Sequence, residues 1–212
     1  MTGAAIFALS LAGVFAVGDW ASRLLHNDRL EYVCKPATLV ALSVVAIVLH
    51  PAHDLGSRRD WFVLALALSL AGDVLLMLPA DLFLAGLAAF LLAHASYVVG
   101  FLTHGPTAGA LVASSLAVIA LVSPLAWRVM RSLRDQPPLK GPVALYILTI
   151  SLMLALALAT GNAYAGAGAA LFAASDSMIA WDRFVRSFRA APVAIMVTYH
   201  LGQAGLVVSL LG

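Results

Sequence analysis

Apolar residues in this chain run in long blocks rather than alternating with polar ones. Charged or Pro/Gly-containing breaks divide them into eight runs, at 3–22, 36–50, 61–79, 82–103, 107–127, 141–160, 163–181 and 192–211. Most approach the ~20 residues that one bilayer crossing requires, and 36–50 is the shortest. The breaks are too short to hold a soluble domain. The pattern predicts an all-α fold: a polytopic integral membrane bundle of eight transmembrane helices, forming one domain over 1–212.

Composition agrees. Of the 212 residues 63% are hydrophobic and only 10% charged, against about 25% charged in soluble domains; the mean hydropathy is +1.00. The net charge of +2 is small and its basic residues fall in loops, so no nucleic-acid partner is implied. Cys34 is the only cysteine and forms no internal disulfide framework. Residues 1–18 have no basic residue ahead of their apolar run, which favours a retained first span over a cleaved signal.

Charge sets an orientation. The loops 23–35, 128–140 and 181–191 carry Arg23, Arg29, Lys35, Arg128, Arg131, Arg134, Lys140, Arg183, Arg186 and Arg189, all on one side of an eight-span arrangement. The other side has Arg58 and Arg59. The positive-inside rule puts the basic side in the cytoplasm of an inner or plasma membrane, with both termini outside.

Two carboxyls change the picture. Asp73 lies in LAGDVLLM and Asp176 in LFAASDSMIAW, within spans that hold no Lys or Arg. A carboxylate in hydrocarbon costs roughly 2.5–3.5 kcal/mol on insertion scales, so such residues mark functional sites by default. Spans three and seven run in the same direction, and both aspartates fall roughly 8–9 Å below the cytoplasmic boundary at ~1.5 Å per residue. Tyr146, near the start of span six, reaches a similar depth. Equal depth predicts two carboxyls on one water-accessible cavity open to the cytoplasmic leaflet. The bland alternative is a pair of neutral carboxyls bonded to backbone or to Tyr and Ser neighbours. An aspartate on the third span of each half also hints at two parallel four-helix halves, with Lys35-Pro36 opening span two and Lys140-Gly141-Pro142 opening span six.

Other polar residues gather on particular faces. Phe83, Phe90, His94, Tyr97 and Phe101 follow steps of three and four on span four, and so share one face turned to the bundle or to a ligand. Interhelical hydrogen bonding is the alternative for His94 and Tyr97. On span eight Tyr199 and Gln203 stand four apart, placed to orient a water or a phosphate ester oxygen, or to tie helices together. His200 points elsewhere. Lys35, Glu31 and Arg128 read as rim residues, solvated anchors or holders of an anionic headgroup.

A metal reading fails on spacing. His26, His50, His53 and His104 belong to loops, His94 and His200 are alone in their spans, and catalytic zinc usually takes three protein ligands. No serine sits in a nucleophile elbow. Gly72-Asp73 lacks the first glycine of intramembrane aspartyl proteases, since position 70 is Leu, and no Pro-Ala-Leu element is present.

From about residue 34 onward the ordered set Lys35-Pro36, Gly72-Asp73, Gly86, Phe90, His94, Tyr97, Tyr146, Leu171-Phe172-x-x-Ser175-Asp176, Tyr199 and Gln203 resembles the YhhN-like lysoplasmalogenase family. The resemblance implies an eight-helix membrane hydrolase with Asp73 and Asp176 catalytic, acting on a lysophospholipid within the bilayer. It implies cleavage of the vinyl-ether bond of lysoplasmalogen to a fatty aldehyde and a glycerophospho-base. That chemistry needs an acid, a base and restricted water, and no metal or organic cofactor. Lys35, Phe90, His94, Tyr97, Tyr146, Tyr199 and Gln203 are the expected substrate-binding residues. Two competing readings remain: a proton-coupled transporter using the same carboxyls, and a structural or lipid-binding membrane protein. Headgroup preference and oligomeric state have no signal in the sequence.

Overall fold

A computed structural model describes residues 1–52 and 55–212; His53, expected in a loop, lies outside the described residues. Among the described residues the chain forms eight helices: α1 Gly3–Leu25, α2 Asp28–Val48, α3 Gly56–Met77, α4 Phe83–Leu102, α5 Ala108–Ser132, α6 Pro137–Ala159, α7 Ala163–Phe184 and α8 Ala191–Val208. Seven are long and apolar enough to cross a membrane; the exception is α7, rich in Ala, Gly and Ser. The protein is an integral, multi-pass membrane bundle. Large apolar side chains such as Phe7, Leu121 and Leu148 point outward, as a hydrocarbon solvent permits.

Thr2, Asn27, Thr107 and Asn162 start α1, α2, α5 and α7, their side chains accepting from the backbone N–H three residues on. The Asn27 cap explains the largest departure from the sequence reading. Pro36 marks the expected start of span two, yet α2 begins eight residues earlier. Asp28 and Glu31 stand in its first turn, where the helix dipole favours acidic groups. Pro36 lies inside the helix, where its missing N–H frees the Tyr32 carbonyl. Lys35 is therefore a helical residue rather than a rim residue. It is 4% exposed, and the expectation that no cation lies within the spans is overturned.

A second cation enters the same way. α3 starts at Gly56 rather than 61, so Arg58 is helical and buried. Its guanidinium donates to the Gly100 and His104 carbonyls at 3.3 Å each and lies over Phe101. It caps the carboxyl end of α4, where the helix dipole favours positive charge.

Helix neighbours repeat between the halves. α1–α2, α2–α3 and α3–α4 pack as α5–α6, α6–α7 and α7–α8 do, while α4 meets α6 and α8 meets α2 across the centre. The repeat is partial, since α1 also meets α8 and α5 meets α7 without equal counterparts in the other half. The α7–α8 pair is drawn in by glycine: a Cβ on Gly202 would stand 2.8 Å from the Phe172 nitrogen and 2.9 Å from the Gly168 oxygen. Close backbone approach of this kind drives helix association where no hydrophobic effect operates. α5 is peripheral, burying only Val118 and Val129.

Candidate active site

Each aspartate sits on the third helix of its half and is approached by two partners, one from the second helix of that half and one from the fourth helix of the other. Asp73 on α3 is 1% exposed. Lys35 Nζ from α2 lies 3.2 Å from its Oδ1, and Tyr199 from α8 donates its hydroxyl to Oδ2 at 2.8 Å. Asp176 on α7 accepts from the Tyr146 hydroxyl of α6 at 2.5 Å, and its Oδ2 lies 3.4 Å from His94 Nε2 of α4. The two arrangements correspond helix for helix. Their chemistry differs, since the first has an ammonium where the second has a phenol.

The His94 contact carries a proton constraint. Its Nδ1 is 2.7 Å from the Phe90 carbonyl oxygen, which only accepts, so Nδ1 holds a hydrogen. In the neutral ring Nε2 is then an acceptor. It faces a carboxyl oxygen at a distance and angle short of a hydrogen bond. A hydrogen bond across that gap needs a proton on one side, so His94 and Asp176 form a pair suited to hold one.

Gln203 positions the other half. It accepts from Tyr97 at 2.5 Å and donates to Ser69 Oγ at 3.0 Å, tying α4, α8 and α3 together one turn beyond Tyr199. Tyr97 is fully buried, with Phe62 edge-on to it and to Phe101. The expected aromatic stripe of α4 faces the bundle throughout. Phe172 links the two carboxyl environments, its ring against His94 at 4.6 Å and against Tyr199 at 5.3 Å between centroids. Phe90 packs on both Phe172 and Tyr199.

A narrow apolar cleft with a cavity volume of about 80 Å3 runs among α3 to α7, smaller than the roughly 300–1,000 Å3 usual for formed ligand sites, so a lipid chain enters it only by parting its walls. Along α6 its wall runs from Val143 to Leu154, roughly 16 Å at ~1.5 Å per residue. Phe83, Phe90, Tyr146 and Asp176 line it; apart from Asp176, Tyr146 and two serines the wall is hydrocarbon. Of the expected site residues, Asp73, Lys35, His94, Tyr97, Tyr199 and Gln203 stand outside the lining, in the polar and aromatic layer beside it. His200, left without a direction by its spacing, is buried and accepts from Trp20 Nε1 at 3.1 Å.

One buried carboxyl escaped the sequence reading. Asp19 on α1 is 0% exposed; it lies within the expected first span 3–22, four residues before Arg23. Asp19 and Arg23 do face each other, with Arg23 Nε 4.0 Å from Oδ1. α7 also runs on to Phe184, three residues past its expected end, before Asp182 accepts from the Phe188 N–H at 3.0 Å and turns the chain.

The chain is similar to known proteins over most of its length. The chain is 35% identical to a lysoplasmalogenase of Mycobacterium tuberculosis, over 91% of this chain and 82% of that one. It is 38% identical to a lysoplasmalogenase of Homo sapiens, over 88% of this chain and 79% of the other. No solved structure matches it. The family model for the YhhN family matches residues 30–210, a stretch that includes both aspartates and all four of their partners, and the chain belongs to the YhhN family.

Proposed function

We propose that this protein is a lysoplasmalogenase, cleaving the vinyl-ether bond of lysoplasmalogen to a fatty aldehyde and a glycerophospho-base. The names of its relatives support the activity. The observation that carries the site is Asp176, a carboxyl in the wall of a long apolar cavity. The basic loops support a cytoplasmic-leaflet orientation in an inner or plasma membrane.

The alkenyl chain parts the apolar walls of this narrow cleft and lies along it, with its vinyl ether against Asp176. The proton held between Asp176 and His94 passes to the outer alkene carbon, leaving an oxocarbenium ion. Asp73, whose carboxyl stands 3.2 Å from the Lys35 ammonium, takes a proton from the water that adds to that ion. The hemiacetal then collapses. Its hydroxyl proton returns to Asp176, the C–O bond to glycerol breaks, and the glycerol oxygen takes the proton from Asp73. One water is consumed and both carboxyls are regenerated. Tyr146 donates to Asp176 and Tyr199 to Asp73, each stabilising its own carboxylate when that is charged.

Purified protein incubated with a lysoplasmalogen, and in parallel with a lysophospholipid bearing an ester in place of the vinyl ether, tests the reading. Aldehyde from the first and none from the second is the expected result. Absence of aldehyde, with uptake of a solute by protein reconstituted in vesicles, would replace the hydrolase by a proton-coupled transporter.

A further inference from the structure

The proposed reaction consumes water, yet the cavity beside Asp176 is almost wholly hydrocarbon. A second polar cluster, built by α1, α2 and α8, stands near the Lys35–Asp73 pair and takes no part in the steps above. Asp19 is its centre. Arg23 Nε stands 4.0 Å from its Oδ1, and the backbone of neighbouring Gly18 packs on Cys34, next to Lys35, so closely that a Cβ there would lie 2.7 Å from Sγ. Its Oδ2 has no hydrogen-bond partner, and neither has Arg23 Nε. Arg23 Nη2 holds Glu31 at 2.6 Å, and these side chains, 20% and 16% exposed, form the rim of the cluster.

His200 completes it from α8, its ring stacked on that of Trp20, the residue after Asp19, at 6.4 Å between centroids. Because its Nδ1 accepts from Trp20, the neutral ring carries its hydrogen on Nε2. That N–H is also buried without a partner. Among the described residues four buried side-chain polar atoms are orphaned in this way, and three lie here; the fourth is His94 Nε2. Two are donors and one is an acceptor, a set that suits water, which both donates and accepts. Buried polar atoms without protein partners are ordinarily satisfied by ordered water.

We propose that Asp19, Arg23, Lys35 and His200 hold a chain of water molecules leading from the Arg23–Glu31 rim to Asp73, and that this chain supplies the water consumed in hydrolysis. The lipid then arrives through the apolar cavity at Asp176, and water arrives from the opposite side at Asp73. Asp19 is a positioning residue: it orders the waters and touches no reacting atom. The supply role rests on the lysoplasmalogenase reading, whereas the hydrated cluster does not.

Radiolytic hydroxyl-radical labelling of the purified full chain, read by mass spectrometry, separates the two. His200 and Cys34 are 2% and 6% exposed and belong to this region, while Met153 is fully buried and serves as the dry control. After correction for intrinsic reactivity, His200 and Cys34 are expected to label about fivefold faster than Met153. Asp19→Leu should bring them down to the Met153 rate and lower kcat for lysoplasmalogen about tenfold, with KM within about twofold. Asp19→Asn keeps one acceptor and should recover part of both. Labelling of wild-type His200 and Cys34 at the Met153 rate overturns the proposal. So does a folded Asp19→Leu protein with wild-type kcat. If Asp19→Leu does not fold, unchanged labelling and turnover in Asp19→Asn overturn it instead. Fast, Asp19-dependent labelling in a protein that releases no aldehyde sinks the lysoplasmalogenase reading and leaves the water site standing.

Discussion

Lys35 Nζ lies 3.2 Å from Asp73 Oδ1 with both side chains buried, so one carboxyl of the pair has a fixed counter-charge and the other does not. Asp176 meets a phenol and an imidazole instead. Two aspartates in similar positions of similar halves are thus made chemically unequal by what the second helix of each half supplies.

Breaking that ion pair should cost stability as well as turnover. Lys35→Met leaves Asp73 buried without compensation, a change worth about 3–5 kcal/mol in comparable buried pairs. The unfolding temperature in detergent is expected to fall sharply. Adding Asp73→Leu should restore most of the loss without restoring aldehyde release. Additive losses in the double variant would show that the pair does not act as a unit.

The two asparagine variants should therefore behave differently. Asp176→Asn keeps its size and its bond from Tyr146, so the protein should fold normally and lose about a hundredfold or more in kcat. Asp73→Asn should lose turnover to a similar degree and also unfold at lower temperature, since Lys35 loses its anion. The double variant should be little slower than either single one, because groups acting as a unit are non-additive. A wild-type rate in either single variant removes the two-carboxylate mechanism.

Hydropathy located all eight helices and the face that α4 turns inward, because span length and 3.6-residue periodicity are local properties. It missed what depends on partners far along the chain. Pro36 read as a boundary because proline usually starts or ends helices, and that hid Lys35 within α2. Asp19 stands near the end of the first span, four residues before Arg23, and nothing local distinguishes a buried carboxyl there from a solvated one. The spacing of Tyr199 and Gln203 gave a shared face. That one binds Asp73 while the other joins Tyr97 to Ser69 is visible only once four helices are assembled.

Orientation is checked by reporter fusions. Reporters placed after Arg131 or Arg186 are expected on the cytoplasmic side and one after Gly105 on the external side. An external signal after Arg186 would reverse the leaflet assigned to the site.

The close α7–α8 contact should tolerate no side chain. Gly202→Val would place carbon against the Phe172 and Gly168 backbones, which lie within 3 Å of its Cβ position and cannot swing aside. Overpacking of this kind costs about 1–3 kcal/mol or more. It should also shift Tyr199, one turn away, so the unfolding temperature and kcat are expected to fall together. A stable Gly202→Val protein with full activity would show that the two helices are free to separate.

Filling the apolar cavity should change which lipids are accepted rather than the chemistry itself. Ile150 lines the wall on α6, four residues beyond Tyr146, whose hydroxyl holds Asp176. Ile150→Trp adds bulk along the path assigned to the alkenyl chain and leaves both carboxyls with their partners. For long-chain lysoplasmalogen KM is expected to rise roughly fivefold or more, while a short-chain analogue that ends before the obstruction should be turned over almost normally. Unfolding temperature, measured alongside, separates this from general damage, which would lower turnover of both substrates. An equal loss for long and short chains in a stable variant would mean that the hydrocarbon lies elsewhere, and Asp176 would lose its claim to face the lipid.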